Sequence, residues 1–253
     1  MITAAALCPA PPLLVRELTG AEDVGADLRA ACLAAVAGLL ASQPDVLAVV
    51  GAGETTRTWD PLSELDLAVF APGAGAPGPV PAGSGSLDAA RPGGPAPAGS
   101  GPAGSPDLPP ALGIGAWLLT QAGYKGERVL QSVSQDDPAA RCAEVGAVIA
   151  DLAGRVALLV MADGSARRGL KAPGYLDERS AAFDAEVERA VRGGDLAALL
   201  SVDAGLAREL MATGRPGWHV LAGALGSRRV ATEVRYCGDP FGVAYLVASL
   251  RIS

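Results

Sequence analysis

Two apolar runs end in residues that could carry chemistry. The first is Val49-Val50-Gly51-Ala52-Gly53-Glu54. Glycines at such a point let backbone approach a phosphate, as at the opening of a dinucleotide loop. Position 56 is Thr, where the third glycine of that loop belongs. A tight strand-to-loop turn is the simpler reading. The second is Met161-Ala162-Asp163-Gly164-Ser165-Ala166-Arg167-Arg168. A serine just after a buried strand suggests a nucleophile, although the G-x-S-x-G elbow is absent. Ser165 would need a base, and His219 is the chain's single imidazole. Asp163, Ser165 and His219 are therefore the catalytic candidates. His219 lies between Trp218 and Val220 in an apolar stretch, and reads first as a core or interface histidine. Arg167, Arg168 and Lys171 are suited to hold a carboxylate or phosphate. A solvated loop balancing nearby acids is the equal alternative. Cys8 and Cys237 are candidate reactive thiols, with buried inert thiols the commoner outcome. Cys32 and Cys142 fall on apolar helix faces.

These residues need elements to position them. Thr19 and Glu22 have capping-box spacing, and Val24, Leu28, Cys32, Val36, Leu39 and Leu40 recur at helical intervals, ended by Pro44. Val46 to Val50 reads as a strand covered on both faces. Leu65 to Phe70 is a second strand, and Ile114 to Leu119 opens an apolar helix. Val129 to Val133 is a short strand. Pro138 starts a helix carrying Cys142, Val145, Val148, Ile149 and Leu152. Arg155 to Met161 is the clearest buried strand. Helices are predicted around 177–192, 195–200, 203–213 and 218–225. Val230 to Tyr236 and Val243 to Leu250 close the chain as strands that can pair antiparallel. Alternation of strand and helix predicts one α/β domain over 1–253, with a mostly parallel or mixed sheet between helices.

Composition narrows the function classes. The chain has 253 residues, half of them hydrophobic, so a substantial core can form. A net charge of -7 argues against a nucleic-acid partner. One histidine and four scattered cysteines, with no C-x-x-C pair, exclude a zinc ribbon and predict no metal site. No stretch spans a membrane, and the N-terminal run, broken by Pro9, Pro11 and Pro12, is no signal peptide; the expectation is a cytoplasmic protein. Pro72 to Pro110 holds 21 Gly or Pro in 39 residues. It is read as a disordered insertion in a surface loop, because it has too little apolar surface to offset its ordering entropy.

Four segments, in order, resemble those of the class III extradiol ring-cleavage dioxygenases of the LigB-like type, a superfamily that includes the MEMO-like proteins. Cys8-Pro9-Ala10-Pro11-Pro12-Leu13-Leu14-Val15 is similar to that family's P-H-x-P turn, and Val46 to Gly53 to its strand ending in S-P-H. Ala162 to Arg167, with Gly174-Tyr175 and Phe183-Asp184 downstream, resembles its D-x-S-H-R segment. Pro240-Phe241-Gly242-Val243-Ala244-Tyr245 resembles its closing strand. The resemblance implies that family's fold, with Fe(II) held by two histidines and a carboxylate, and a third histidine as acid/base. Carried over by position, the ligand histidines fall on Ala10 and at or beside Gly53. The acid/base histidine falls on Ala166, and the carboxylate in the region of Glu233 to Asp239, near Cys237. None of Ala10, Gly53 and Ala166 offers a lone pair.

Three expectations follow. The first is a degenerate relative that binds a small molecule or a protein partner through a pocket at Ala10, Gly53, Glu54, Ala166 and Cys237, with no cofactor and with Fe(II) implied by resemblance alone. The second is an active oxidoreductase or other enzyme, with a rebuilt metal site drawing on Glu54, Asp163, Ser165, Cys8 and Cys237. The third is an anion site at Arg167, Arg168 and Lys171. A homo-oligomer is left open.

Overall fold

The computed structural model describes residues 1–19, 22–65, 70 and 108–252. Residues 1–65 and 108–253 make one compact unit, and residues 66–107 divide from it as another. The first unit is α/β, with one seven-stranded mixed sheet. Its strands are β1 (Ile2–Cys8), β2 (Val46–Gly53), β3 (Arg57–Trp59), β4 (Glu127–Ser134), β5 (Val156–Met161), β6 (Val230–Gly238) and β7 (Tyr245–Ile252). They lie in the order β3-β4-β2-β5-β1-β7-β6. The four inner strands β4, β2, β5 and β1 run parallel. Antiparallel partners, β3 and the β7–β6 pair, flank them.

The helices are α1 (Ala26–Ala41), α2 (Pro110–Gln121), α3 (Ala139–Ala150), α4 (Arg179–Gly193), α5 (Leu196–Leu200), α6 (Ala204–Glu209) and α7 (Arg215–Leu225). Alternation along the strands assigns the faces. Ala5, Leu7, Ala48, Val50, Leu158 and Val160 share a core with residues of α3, α4 and α7. Their neighbours in sequence point the other way, where Gly115 of α2 packs against Val49 and Met161. All six residues of β5 and the first six of β2 are buried, as expected of parallel strands covered on both sides.

Several expectations are corrected in detail. The N-terminal run, read only as apolar, is the central strand β1. Its Ala4-Ala5-Ala6 core has weak strand preference, and pairing to β5 and β7 decides it. The short edge strand β3 also went unforeseen. Thr19 and Glu22 do not cap α1, which begins at Ala26 after Gly25 without a side-chain cap. Thr19 instead ends a 3-10 turn, and Val24 is exposed. The expected strand Leu65 to Phe70 lies mostly outside the described residues, as does the insertion 72–110 up to 107. At its far end Pro110 already belongs to α2. The late strands do pair antiparallel, with an irregularity between Val234 and Tyr236.

Two glycines set the close crossing of α3 and α7. A Cβ on Gly146 of α3 would run into the Val220 carbonyl and come within 2.6 Å of Ala224 N on α7. A Cβ on Gly223 of α7 would run into the Ala143 backbone of α3. The crossing is reciprocal and made by backbone, which cannot rotate aside. Alanine has the higher helix propensity by about 1 kcal/mol, but overpacking costs typically 1–3 kcal/mol. Gly146→Ala and Gly223→Ala are each expected to destabilise the fold by about 1 kcal/mol. Urea unfolding checks this, and stability equal to the parent chain would refute the close crossing.

Candidate functional site

The parallel strands end along one edge of the sheet. β6 and β7 bring their turn to that same edge, since Gly238 pairs with Tyr245 and Leu7 with Ala248. Sites of open α/β sheets form along such an edge.

The segment after β5 is fixed there on every side. The Gly164 amide donates to the Ala244 carbonyl at 2.8 Å, and the Ala244 amide donates back to the Ser165 carbonyl at 2.9 Å. The Arg168 amide reaches the Gly242 carbonyl, and the Ala166 amide the Leu210 carbonyl. From α4, Asp184 accepts the Ser165 amide at 2.9 Å and the Ser165 hydroxyl at 2.5 Å. Position 164 must be glycine, since a Cβ would stand 2.8 Å from both Asp184 Oδ1 and Ala244 Cβ.

A cavity of about 280 Å³ opens beside this segment. Ala162 and Gly164 floor it, α4 contributes Asp184 and Glu188, and α7 contributes Trp218. The β6–β7 side adds Cys237, Asp239, Tyr245 and Leu246. Burial pushes the Asp184 carboxyl up, against the Ser165 bonds and Arg168 that pull it down. Glu188 is held below the usual carboxylate range, chiefly by a hydrogen bond from Arg192. Burial raises the Tyr245 phenol. The Tyr245 hydroxyl has no hydrogen-bond partner among the described residues, nor does the buried Trp218 Nε1.

The catalytic candidates do not assemble into a hydrolytic dyad. The Ser165 side chain is fully buried and its hydroxyl is committed to Asp184, not to an imidazole. His219 is buried on α7, with no well-formed hydrogen bond at either ring nitrogen and only weak support from the Leu199 backbone. Desolvation, then the Arg215 charge, lowers its pKa to about 4. It is the core histidine of the simpler reading. Asp163 is different. It is half-buried at the end of β5 and accepts the Ala10 amide at 2.9 Å. Burial raises its pKa to about 6, and its second oxygen has no partner among the described residues.

Two residues of the cationic cluster are paired with carboxylates, although the buried Arg167 Nε has no hydrogen-bond partner among the described residues. Arg168 lies 2.8 Å from Asp239 and 3.8 Å from Asp184, Arg167 lies 3.6 Å from Asp177, and Lys171 is exposed. An anion approaching Arg168 would have to compete with Asp239 and Asp184. The thiols are quiet as well. Cys8 is fully buried, and burial with the Glu188 contact pushes Cys237 up to about 11.

The positions carried over by resemblance do not share one cavity. Ala10 supports Asp163, and Ala166 is buried with its amide and carbonyl both bonded. Gly53 faces Ser132 and Pro109, and Glu54 is exposed. Only Cys237 lines the 280 Å³ cavity. Gly53 on β2 and Cys237 on β6 are four strand steps apart, about 19 Å at ordinary strand spacing. Among the described residues no three His, Cys, Asp or Glu side chains gather as a metal site requires. The residues present therefore do not fit the Fe(II) group that the resemblance implies. Also among them, no helix is long and apolar enough to cross a membrane.

In the sequence Asp184 and Tyr245 carry no assigned chemical role, Glu188 is overlooked, and Asp239 enters only as the end of the region where the resemblance places a carboxylate. One signal was available. Asp184 and Glu188 stand four apart on a helix, so two like charges share a face at a stability cost.

Two titrations should show in stability. Asp163 loses its proton near 3.8 when unfolded and near 6 when folded. The folded chain binds the extra proton between those values, so stability falls as pH rises through that window. A shift of this size corresponds to about 3 kcal/mol, and solvent reaching the half-buried carboxyl screens about half of it. Asp163→Asn keeps an acceptor for Ala10 and should stabilise the protein at pH 8 by about 1–2 kcal/mol. Chemical unfolding at pH 8 would refute this with a neutral or destabilising result. His219 works the opposite way. Its folded pKa of about 4 lies below the ordinary 6.5, so its stabilisation is present above pH 6.5 and lost as pH falls toward 4. His219→Leu should lessen the fall in melting temperature between pH 7 and 5.

Comparisons with known proteins bear on the scaffold. No family model matches the chain, and no curated protein does. Among solved structures it resembles the uncharacterized protein JW3007 from Escherichia coli K12, at 15% identity and a TM-score of 0.52, over 98% of this chain and 99% of that one. That likeness extends to the α/β fold and no further.

Proposed function

We propose that this chain is a small-molecule-binding protein on an extradiol-dioxygenase-like scaffold, with the iron chemistry of that family absent. One observation carries the reading: the sheet edge presents a cavity whose polar lining is carboxyl, guanidinium, phenol, thiol and indole, with no imidazole. The positions where the resemblance expects histidines hold Ala10, Gly53 and Ala166. Specificity in such a cavity comes from a few fixed polar groups on mostly apolar walls. Here Ala162, Ala181, Ala185, Val187 and Leu246 supply the apolar part.

Asp163 favours a second reading, an enzyme using a carboxyl as acid or base. A half-buried carboxyl at a strand end, oriented by one backbone amide and free at its other oxygen, suits proton transfer near neutral pH. An oxidoreductase with a metal site rebuilt from thiols and carboxylates lacks the clustered donors it needs among the described residues.

The test is to load untagged protein with Fe(II) without oxygen, desalt it, and measure bound metal and oxygen uptake with catechols. The expected result is less than about a tenth of an equivalent of iron and no uptake above buffer. Stoichiometric iron with opening of an aromatic diol would overturn the proposal.

A further inference from the structure

We propose that the cavity beside α4 takes a compact aromatic amine, bound through its ammonium group to Asp184 and Glu188. This rests on the small-molecule reading above and names the ligand class. Three observations converge on it. The first is size. About 280 Å³ lies just under the roughly 300–1,000 Å³ of pockets for drug-sized ligands, which suits a single ring with a short substituent.

The second is charge. The lining carries Asp184, Glu188 and Asp239 against Arg168 alone. Arg168 is turned to Asp239 at 2.8 Å and stands farther from Asp184, at 3.8 Å. Asp184 and Glu188 are one helical turn apart, so their Cβ atoms are about 5–6 Å from each other. An ammonium has three donors and no acceptor, and can bridge two such groups. Burial already disfavours the Asp184 charge, which a cation beside it would relieve.

The third is unmet polar and aromatic capacity. Tyr245 is only 4% exposed and lines the cavity, and its hydroxyl has no partner among the described residues. Trp218 is 2% exposed, lines the same cavity, and leaves Nε1 without a partner. A ring packed beside this indole gains aromatic contact. A neutral ligand would use the phenol but gain no charge contact with the carboxyls beyond the bonds they already make to Ser165 and Arg192. An anionic ligand would face three carboxylates.

Benzylamine, benzyl alcohol and benzoate differ mainly in charge and serve as probes. Each is titrated into the full chain at pH 8 by calorimetry, with the Trp218 indole N–H signal followed by NMR and assigned with Trp218→Phe. Benzylamine is expected to bind at least about tenfold more tightly than benzyl alcohol, with benzoate weakest. Glu188→Gln should weaken benzylamine about tenfold and leave benzyl alcohol unchanged. Glu188 is partly exposed, so this variant should fold, and its melting curve checks that. Ala185→Leu, at an exposed helix position on the cavity wall, should abolish binding of all three. Benzyl alcohol or benzoate binding there as tightly as benzylamine, or benzylamine unaffected by Glu188→Gln, overturns the amine assignment and leaves the pocket reading standing. No saturable change with any probe overturns both.

Discussion

Asp184 is the residue on which the candidate site depends. One carboxylate, reaching from α4 to the end of β5, takes both the amide and the hydroxyl of Ser165. Charge-assisted bonds of this kind are worth roughly 1.5–3 kcal/mol each. They hold the 162–168 segment against the β6–β7 turn, which answers with backbone bonds from Gly164, Ala244 and Arg168. Remove the carboxylate and Ser165 keeps a buried hydroxyl with no acceptor. The cavity walls come from these same pieces, so the clamp that fixes the loop also sets the cavity's shape. The clamp explains why the serine is structural here. An activated serine needs its proton directed to a base that can later release it. A hydroxyl bonded to a buried carboxylate that also anchors backbone is instead a fastening.

The sequence made the buried strands legible, and most of the helices. β2 opens on Val46 to Val50 and β5 is apolar from Val156 to Met161, short continuous runs rich in Val that fit strands covered on both faces. β1 was hidden because alanine carries no strand signal. Its state is decided by the two strands that bracket it, which is information from other parts of the chain. The start of α1 failed for a similar reason. A Thr and Glu at capping distance satisfy the local rule, but Asp23 pairs with Arg29 at 2.5 Å and the chain enters the helix only after Gly25.

The site was less legible than the fold. Asp163 and Cys237 do lie on its segments, and the simpler reading of His219 matches its burial. The cavity's polar lining comes from three stretches distant in sequence, around 184–188, 218 and 237–246. No spacing rule links them, because the β5–α4 connection and the β6–β7 turn meet only in the folded sheet. The resemblance pointed to the edge of the sheet where this cavity opens. It placed one cavity across positions that the strand order holds four strands apart.

The balance of charge around the cavity sets what any ligand must overcome. Glu188 already has Arg192 at 2.7 Å, and Asp239 has Arg168 at 2.8 Å. The empty site is thus nearly satisfied, and an ammonium gains only the difference between its own bonds and those it loosens. Exposed ion pairs such as Glu188–Arg192 are worth about 0.2–1 kcal/mol, while a charge-assisted hydrogen bond in a sheltered cavity is worth about 1.5–3 kcal/mol. The surplus of about 1–2 kcal/mol is a factor of roughly 10 in affinity. That suffices for discrimination between a cation and its neutral analogue and stays far short of tight capture. A cavity built this way favours a ligand that enters and leaves readily over one held as a permanent cofactor.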